Sequence, residues 1–175
     1  MDNTVHFTQS QALKAPTDHL AAVARILADP ISAILSVQRE HPLLTIYGIG
    51  KREPFHRGDQ EENFRRKREG MTNPHEVGQF IRAVQYLATR NNRETLYTGC
   101  SSYIWKHRAE SWHRKRLRLT VHQQSEGYIS NGMLICAALA MGFGMEPAKP
   151  WSINVLFTIG APLVREKRSG RYGRA

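Results

Sequence analysis

Apolar residues recur every three or four positions in several stretches of the chain, which is the spacing that gives a helix one buried face. Residues 17–28 follow this pattern, and Thr17 can cap the helix that it predicts. A second short helix is expected from Pro30, because proline is favoured at the first helical position. The pattern is clearest after Asn73, a potential cap, where Pro74 begins a further predicted helix. Its apolar stripe consists of Val77, Phe80, Ile81, Val84 and Leu87.

Two more helices are expected in the second half of the chain. Residues 102–116 follow a serine that can cap a helix. Residues 131–141 are almost entirely apolar, as in a helix that is buried on every side, and Gly142 is a typical residue at which such a helix ends. A helix-turn-helix motif joins its helices by three or four residues, so the longer connection between these two helices argues against that motif.

Three stretches have the pattern of strands. Residues 43–50, LLTIYGIG, are rich in β-branched and aromatic residues and end in glycine. Residues 152–160, SINVLFTIG, alternate so that one face is apolar, and residues 117–123, LRLTVHQ, also alternate. The chain is therefore predicted to be an α+β protein that is predominantly helical, with two or three short strands.

Length and polarity suggest how the chain is organised. With 175 residues and 41% apolar residues, it suits a single compact domain, assigned to residues 16–163. The polar residues 1–15 are expected to be loosely ordered, and residues 164–175 to form a flexible basic tail. Residues 51–72 are so highly charged that they predict an exposed excursion, with one charged helix at 60–69.

The overall charge points to an anionic partner. The formal net charge is +10 and the isoelectric point is about 10.1. Two cysteines without metal-type spacing favour a reducing compartment, the N-terminus has no secretory pattern, and no apolar run reaches the roughly 20 residues that span a bilayer. The protein is therefore expected to be soluble and cytoplasmic, without a membrane partner.

Most of that charge lies in two segments. Residues 101–124 hold six Lys or Arg, three His and a single acid, and the tail holds five Lys or Arg against one acid. On a helical wheel, Trp105, Ala109 and Trp112 lie on the apolar side. Lys106, His107, Glu110 and Arg114 are then expected on the exposed side. Arg108, Lys115 and Arg116 are expected near the apolar border, where their stems can lie along it.

Such concentrated positive charge is typical of a protein that contacts a phosphate backbone. Arginine can form paired hydrogen bonds to phosphate, lysine supplies a point charge, and protonated histidine adds a further donor. The predicted nucleic-acid-binding residues are Lys106, His107, Arg108, His113, Arg114, Lys115, Arg116, Arg118, His122, Arg165, Lys167, Arg168, Arg171 and Arg174.

Other constellations in the sequence are weaker. Gly50, Lys51 and Arg52 follow a predicted strand and could form an anion-binding turn, although they match neither a P-loop nor a dinucleotide-binding motif. Cys100 precedes a predicted helix, where a thiol can become nucleophilic, but a semi-buried structural thiol is the commoner outcome. The scattered histidines form no metal-ligand pattern, so neither a metal nor a cofactor is expected.

The leading interpretation is a non-enzymatic nucleic-acid-binding protein that is accessory, regulatory or part of a ribonucleoprotein. Two alternatives remain open at this point. One is a protein-interaction module that docks on an acidic partner through the same basic surface. The other is a small enzyme that uses a His or Cys100 on a phosphate-containing substrate. The sequence does not distinguish DNA from RNA, and it leaves the oligomeric state open.

Overall fold

The computed structural model describes residues 16–50 and 59–163, which form six α-helices, two short 3₁₀ helices and two small antiparallel sheets. The helices are α1 (Pro16–Ala28), α2 (Pro30–Glu40), α3 (Gln60–Glu69), α4 (Pro74–Leu87), α5 (Ser102–Leu117) and α6 (Asn131–Ala140). The strands are β1 (Leu44–Thr45), β2 (Gly48–Ile49), β3 (Arg90–Ser101), β4 (Met145–Pro147) and β5 (Val155–Pro162). The predicted α+β class and the single compact unit are confirmed.

Helix α6 lies at the centre of the core. Every residue from Asn131 to Ala138 is buried, because α2, α4, α5 and the β1–β2 hairpin surround the helix. The Ser130 hydroxyl caps it by accepting a hydrogen bond from the Met133 N–H. The chain leaves α6 at Gly142, whose φ of 78° favours glycine. The predicted buried helix and its glycine stop are confirmed.

Helix α6 and the β1–β2 hairpin come into backbone contact at Gly132. Its N–H donates to the Ile46 carbonyl at 2.9 Å, and a Cβ at this position would lie 1.8 Å from the Thr45 oxygen. This contact needs a turn within residues 43–50. The prediction of one continuous strand there is therefore wrong, and the segment is two paired strands of two residues each.

The remaining predicted helices form with small differences at their ends. Asp29 caps α2 by accepting from the Ser32 N–H, and Pro30 occupies the first turn as expected. In α4, the stripe residues Phe80, Val84 and Leu87 are fully buried. Asn73 occupies the N-cap position of α4 but makes no side-chain capping hydrogen bond.

Residues 59–72 are more closely attached to the domain than an exposed excursion would be. The predicted charged helix is α3, and the Asp59 carboxylate caps it. The Arg68 guanidinium donates to three carbonyls, those of Gln38, His41 and Leu44. Met71 is fully buried, so this part of the segment packs against α2. Residues 51–58 lie outside the described residues.

The three-stranded sheet has the antiparallel order β3-β5-β4. Strand β5 corresponds to the predicted strand at 152–160, and Val155, Phe157 and Ile159 are its buried residues. Strand β3 was not predicted, because it is mostly polar and Cys100 is its only fully buried residue. Register shifts interrupt its pairing with β5, so it lacks the regular alternation of a strand with one buried face.

The predicted strand at 117–123 is wrong. Helix α5 continues to Leu117, and Arg118 then adopts a left-handed conformation with φ 52° that ends the helix. A 3₁₀ helix follows at Val121–Gly127. The alternating pattern resembles a strand, but no strand pairs with this segment among the described residues, and Leu117 is exposed.

Among the described residues, no single helix has the length and apolar character needed to cross a bilayer. Helices α1 and α2 satisfy the length and composition criteria only as a pair, and they are bent by 104° relative to each other.

We predict that Gly132→Ala destabilises the protein by about 3 kcal/mol, at the upper end of the cost of overpacking, because its Cβ would meet the backbone of β1. Chemical denaturation followed by circular dichroism measures this difference. Gly78→Ala in α4 is the matched control, because its Cβ would only contact the end of the Arg82 side chain at 3.6 Å. It should leave stability unchanged or raise it by up to about 1 kcal/mol. Equal effects of the two variants would contradict the close approach at Gly132.

Candidate functional site

Helix α5 carries the basic stretch and is held in place by four elements. It packs against α4, α6, β3 and β5. Ser102, in its first turn, is fully buried, and its hydroxyl accepts a hydrogen bond from the Val155 N–H of β5 at 3.2 Å. Trp105 and Ala109 lie on the buried side, as the helical wheel predicts.

The buried side of α5 also includes a charged pair that was expected to be exposed. Lys106 Nζ donates to Glu110 Oε1 at 2.9 Å, and both side chains are at least 92% inaccessible to solvent. Glu110 also accepts from the Ile129 N–H at 3.2 Å, and its Oε2 lies 2.8 Å from His107 Nδ1. The expectation that Lys106 and Glu110 lie on the exposed side of α5 is wrong. The two opposite charges neutralise each other inside the protein, and the segment before α6 covers them.

His113 is likewise not a surface residue. Its side chain is buried, and Nε2 donates to the Arg82 carbonyl of α4 at 2.7 Å. Burial lowers the pKa of His113, and the nearby positive charges of Arg82 and Arg116 lower it further, against the opposing effect of the hydrogen bond. The structure therefore places His113 in the interior, where the sequence predicted a surface contact to phosphate.

The other predicted cations of α5 are accessible to solvent. We call this set of residues the basic face; its members are His107, Arg108, Arg114, Lys115, Arg116 and Arg118. All are exposed except Arg114, which is half-buried. Glu110, the only acid of α5, is buried and paired with Lys106, and its Oε2 contacts His107 at the edge of this face. The basic face is therefore more uniformly positive than the sequence of the helix indicates.

Two rows of aromatic rings and arginines link α5 to its neighbours. One row is Arg93, Tyr97, Trp105 and Arg108, and the other is Arg90, Tyr86, Trp112 and Arg116. Guanidinium carbons lie 4.6 to 5.5 Å from the ring centroids, and the paired rings meet edge to face. The stems of Arg108 and Arg116 therefore lie along the apolar border, as predicted. Arg93 adds an exposed cation next to α5 that sequence reasoning missed.

Sequence reasoning also missed a group of exposed tyrosines beside the basic face. We call Tyr47, Tyr103 and Tyr128 the tyrosine patch. The Lys106 ammonium lies 5.4 Å from the Tyr103 ring centroid and 4.9 Å from that of Tyr128. Burial raises the pKa of Tyr128, and nearby Glu110, Glu76, Tyr47 and Tyr103 add to this effect. The three residues come from separate segments, so no local sequence pattern could have revealed the patch.

The tyrosine patch and the basic face adjoin each other. The Tyr103 and His107 rings meet edge to face, with centroids 4.6 Å apart. A depression of about 300 Å³ lies beside Tyr128, and its lining residues are His75, Glu110, Arg114, Ser125 and Tyr128. His107 and Arg114 therefore connect the cations to the aromatic rings.

Several predicted site residues lie outside the part of the chain that the structure describes. They are Lys51, Arg52, Arg165, Lys167, Arg168, Arg171, Arg174 and the side chain of His122. Gly50 is described, and its N–H donates to the Leu43 carbonyl at 2.9 Å. This N–H is therefore already satisfied and is not a donor for the predicted anion-binding turn.

Both cysteines are buried. Cys100 is 3% exposed, and burial raises the pKa of the Cys136 thiol well above its usual range. A buried thiol is poorly placed to attack a substrate. Within residues 16–50 and 59–163, no group of three or more His, Cys, Asp or Glu is arranged to hold a metal ion.

Comparisons of the chain with protein-family models, with curated proteins and with solved structures find no match.

We predict that Lys106→Met and Glu110→Gln each destabilise the protein by about 3 kcal/mol or more, because each leaves the other member of a buried ion pair without its partner. The double variant should be less destabilised than the sum of the two single variants. Urea unfolding of the four proteins measures this coupling.

Lys115→Met is the matched control for this cycle, because Lys115 is exposed on the same helix. It should change stability by no more than about 0.5 kcal/mol. Strictly additive losses at Lys106 and Glu110 would show that the two residues do not form the buried pair.

Stability is also predicted to fall as the pH drops below about 6.5. Burial lowers the folded-state pKa of His113 and of His41 below the reference value of 6.5, so the unfolded chain binds protons that the folded protein does not. The stabilising effect is complete above pH 6.5 and is lost as the pH falls towards the folded-state pKa values. His113→Gln should flatten the decline measured by unfolding between pH 7.5 and 5, and adding His41→Gln should flatten it further. An unchanged decline in His113→Gln would exclude His113 as its source.

Proposed function

We propose that this protein binds nucleic acid without catalysing a reaction, and that the basic face of α5 contacts the phosphate backbone. The observation that carries the proposal is the position of Glu110. It is the only acid of α5, and it is buried and neutralised by Lys106. The exposed side of the helix therefore offers cations to a polyanion without a competing carboxylate of its own.

The arginine–tryptophan contacts support this proposal. Arg108 lies over Trp105 at 4.8 Å, and Arg116 lies over Trp112 at 5.3 Å. A guanidinium that is already held against a ring loses less conformational entropy when it forms its paired hydrogen bonds to phosphate. Such contacts fix a protein on the backbone but do not read sequence. An accessory, regulatory or ribonucleoprotein role is consistent with binding of this kind.

The C-terminal tail is part of the same proposal on the basis of its composition. Its five cations are Arg165, Lys167, Arg168, Arg171 and Arg174, against the single acid Glu166. A basic arm can follow the backbone of a bound nucleic acid.

The test is a fluorescence-anisotropy titration of the full chain with labelled duplex DNA, single-stranded DNA and RNA at several salt concentrations. Affinity for at least one of these should fall steeply with salt, because phosphate contacts release counterions. In Arg108→Gln/Lys115→Gln, the magnitude of the log–log salt slope for duplex should decrease by about two, close to one for each lost contact.

The control is Arg25→Gln/Arg39→Gln, which removes the same charge from exposed residues of α1 and α2. It should bind nearly as the natural chain does. A chain that ends at Leu163 should show a shallower slope if the tail contributes. Equal losses in both double variants would show that only net charge matters, and the basic face would not be the binding surface.

Absence of binding to all three nucleic acids at low salt would overturn the proposal. The basic face would then fit an acidic protein partner, and a pull-down compared at low and high salt would be the next experiment. Turnover of a phosphate-containing substrate that one His→Ala change abolishes would instead support an enzyme.

A further inference from the structure

We infer that the tyrosine patch stacks unpaired bases, so that the preferred partner is single-stranded nucleic acid. This inference rests on the proposed function, because it assigns a substrate class to the surface that includes the basic face. The patch is Tyr47 from the β1–β2 hairpin, Tyr103 from the first turn of α5 and Tyr128 from the segment before α6.

The three tyrosines of the patch are all large side chains that remain open to solvent. Tyr47 is 40% exposed, Tyr103 is 50% exposed and Tyr128 is 45% exposed. Tyrosine can be exposed singly at no great cost, but a group of aromatic rings on one surface commonly marks a binding site. Each tyrosine presents a flat surface of the kind on which a base can stack.

Two lysines contact the rings of the tyrosine patch, one of them buried and the other at the surface. Lys106 is buried and contacts the rings of both Tyr103 and Tyr128. Lys67 lies 4.7 Å from the Tyr47 ring centroid and donates to its hydroxyl at 2.8 Å. The Lys106 ammonium is therefore shared between two half-exposed rings, those of Tyr103 and Tyr128.

The backbone behind the patch is also fixed. Asn131 Nδ2 donates to the Tyr47 carbonyl at 2.9 Å, and two nitrogen atoms of the Arg82 guanidinium donate to the Tyr128 carbonyl. Rings on a fixed backbone offer a preformed surface, which reduces the entropy lost on binding. The depression of about 300 Å³ beside Tyr128, which His75, Arg114 and Glu110 also line, gives a base space next to a ring.

The combination of rings and cations is what favours a single strand. In a duplex the faces of the bases are stacked inside, so exposed tyrosines could contact only the backbone and the groove edges. A single strand carries free aromatic faces and phosphates on one chain. The adjoining His107 and Arg114 connect the patch to the remaining cations of α5, so bases could lie on the rings while phosphates follow the basic face.

The experiment compares the full chain with a Tyr103→Leu/Tyr128→Leu variant, using three probes of equal length. A single-stranded oligothymidylate and the same backbone without bases carry equal charge, and a duplex of the same length, with twice as many phosphates, is the third probe. Leucine retains apolar bulk over Lys106 but removes the aromatic face. The natural chain should bind the oligothymidylate at least about ten-fold more tightly than the abasic strand, and the variant should lose most of that preference.

The control is Tyr103→Phe/Tyr128→Phe, which keeps both rings and should keep the preference. Circular dichroism and thermal unfolding establish that each variant is folded before its binding is compared. The salt slope for the abasic strand should be the same in all three proteins, because the cations are unchanged.

The outcomes separate this inference from the proposed function. If the natural chain binds all three probes equally, or if the leucine variant keeps the preference for bases, the stacking site is wrong although nucleic-acid binding stands. If no probe binds at low salt, the proposed function fails and the stacking site fails with it.

Discussion

The buried ion pair between Lys106 and Glu110 is the interaction on which the character of this surface depends. Taking two charges out of water is costly, and the cost is offset only when the charges are paired and their remaining hydrogen bonds are satisfied. Here Glu110 also accepts from Ile129, so the pair fastens α5 to the segment that leads into α6. It removes the only acid of α5 from the surface, and it places the Lys106 ammonium next to two tyrosine rings. The basic face and the tyrosine patch therefore share one structural cause.

The central helix provides the rigid support for this arrangement. Because α6 is buried on every side, the elements around it are held at fixed positions, and Gly132 brings the β1–β2 hairpin into backbone contact. Asn131, in the first turn of α6, then holds the Tyr47 carbonyl and contacts Asn154. The tyrosine patch is thus assembled from three separate segments that meet at the start of α6.

Many of the helices could be predicted because their signals are local. A capping residue, a proline in the first turn and an apolar stripe lie within a few residues of one another, and α1, α2, α4 and α6 form as these signals indicate. Strand β3 could not be predicted, since its residues are mostly polar and its irregular pairing with β5 connects distant parts of the chain. The alternating pattern of residues 117–123 led to a wrong strand prediction, because a strand forms only where another strand is available to pair with it.

The amino-acid sequence alone determined the α+β class, the buried helix and the concentration of positive charge between residues 101 and 124. It also determined that most of this charge would lie on one helix. Only the tertiary structure decided which cations face the solvent, because Tyr128 and Ile129 cover the pair of Lys106 and Glu110, and His113 bonds to the Arg82 carbonyl of α4. Their burial depends on the packing of α4 and of residues 128–130 against α5, and a helical wheel of α5 cannot show contacts with other segments. The tyrosine patch has the same origin, since residues distant in sequence become neighbours only when the core around α6 has formed.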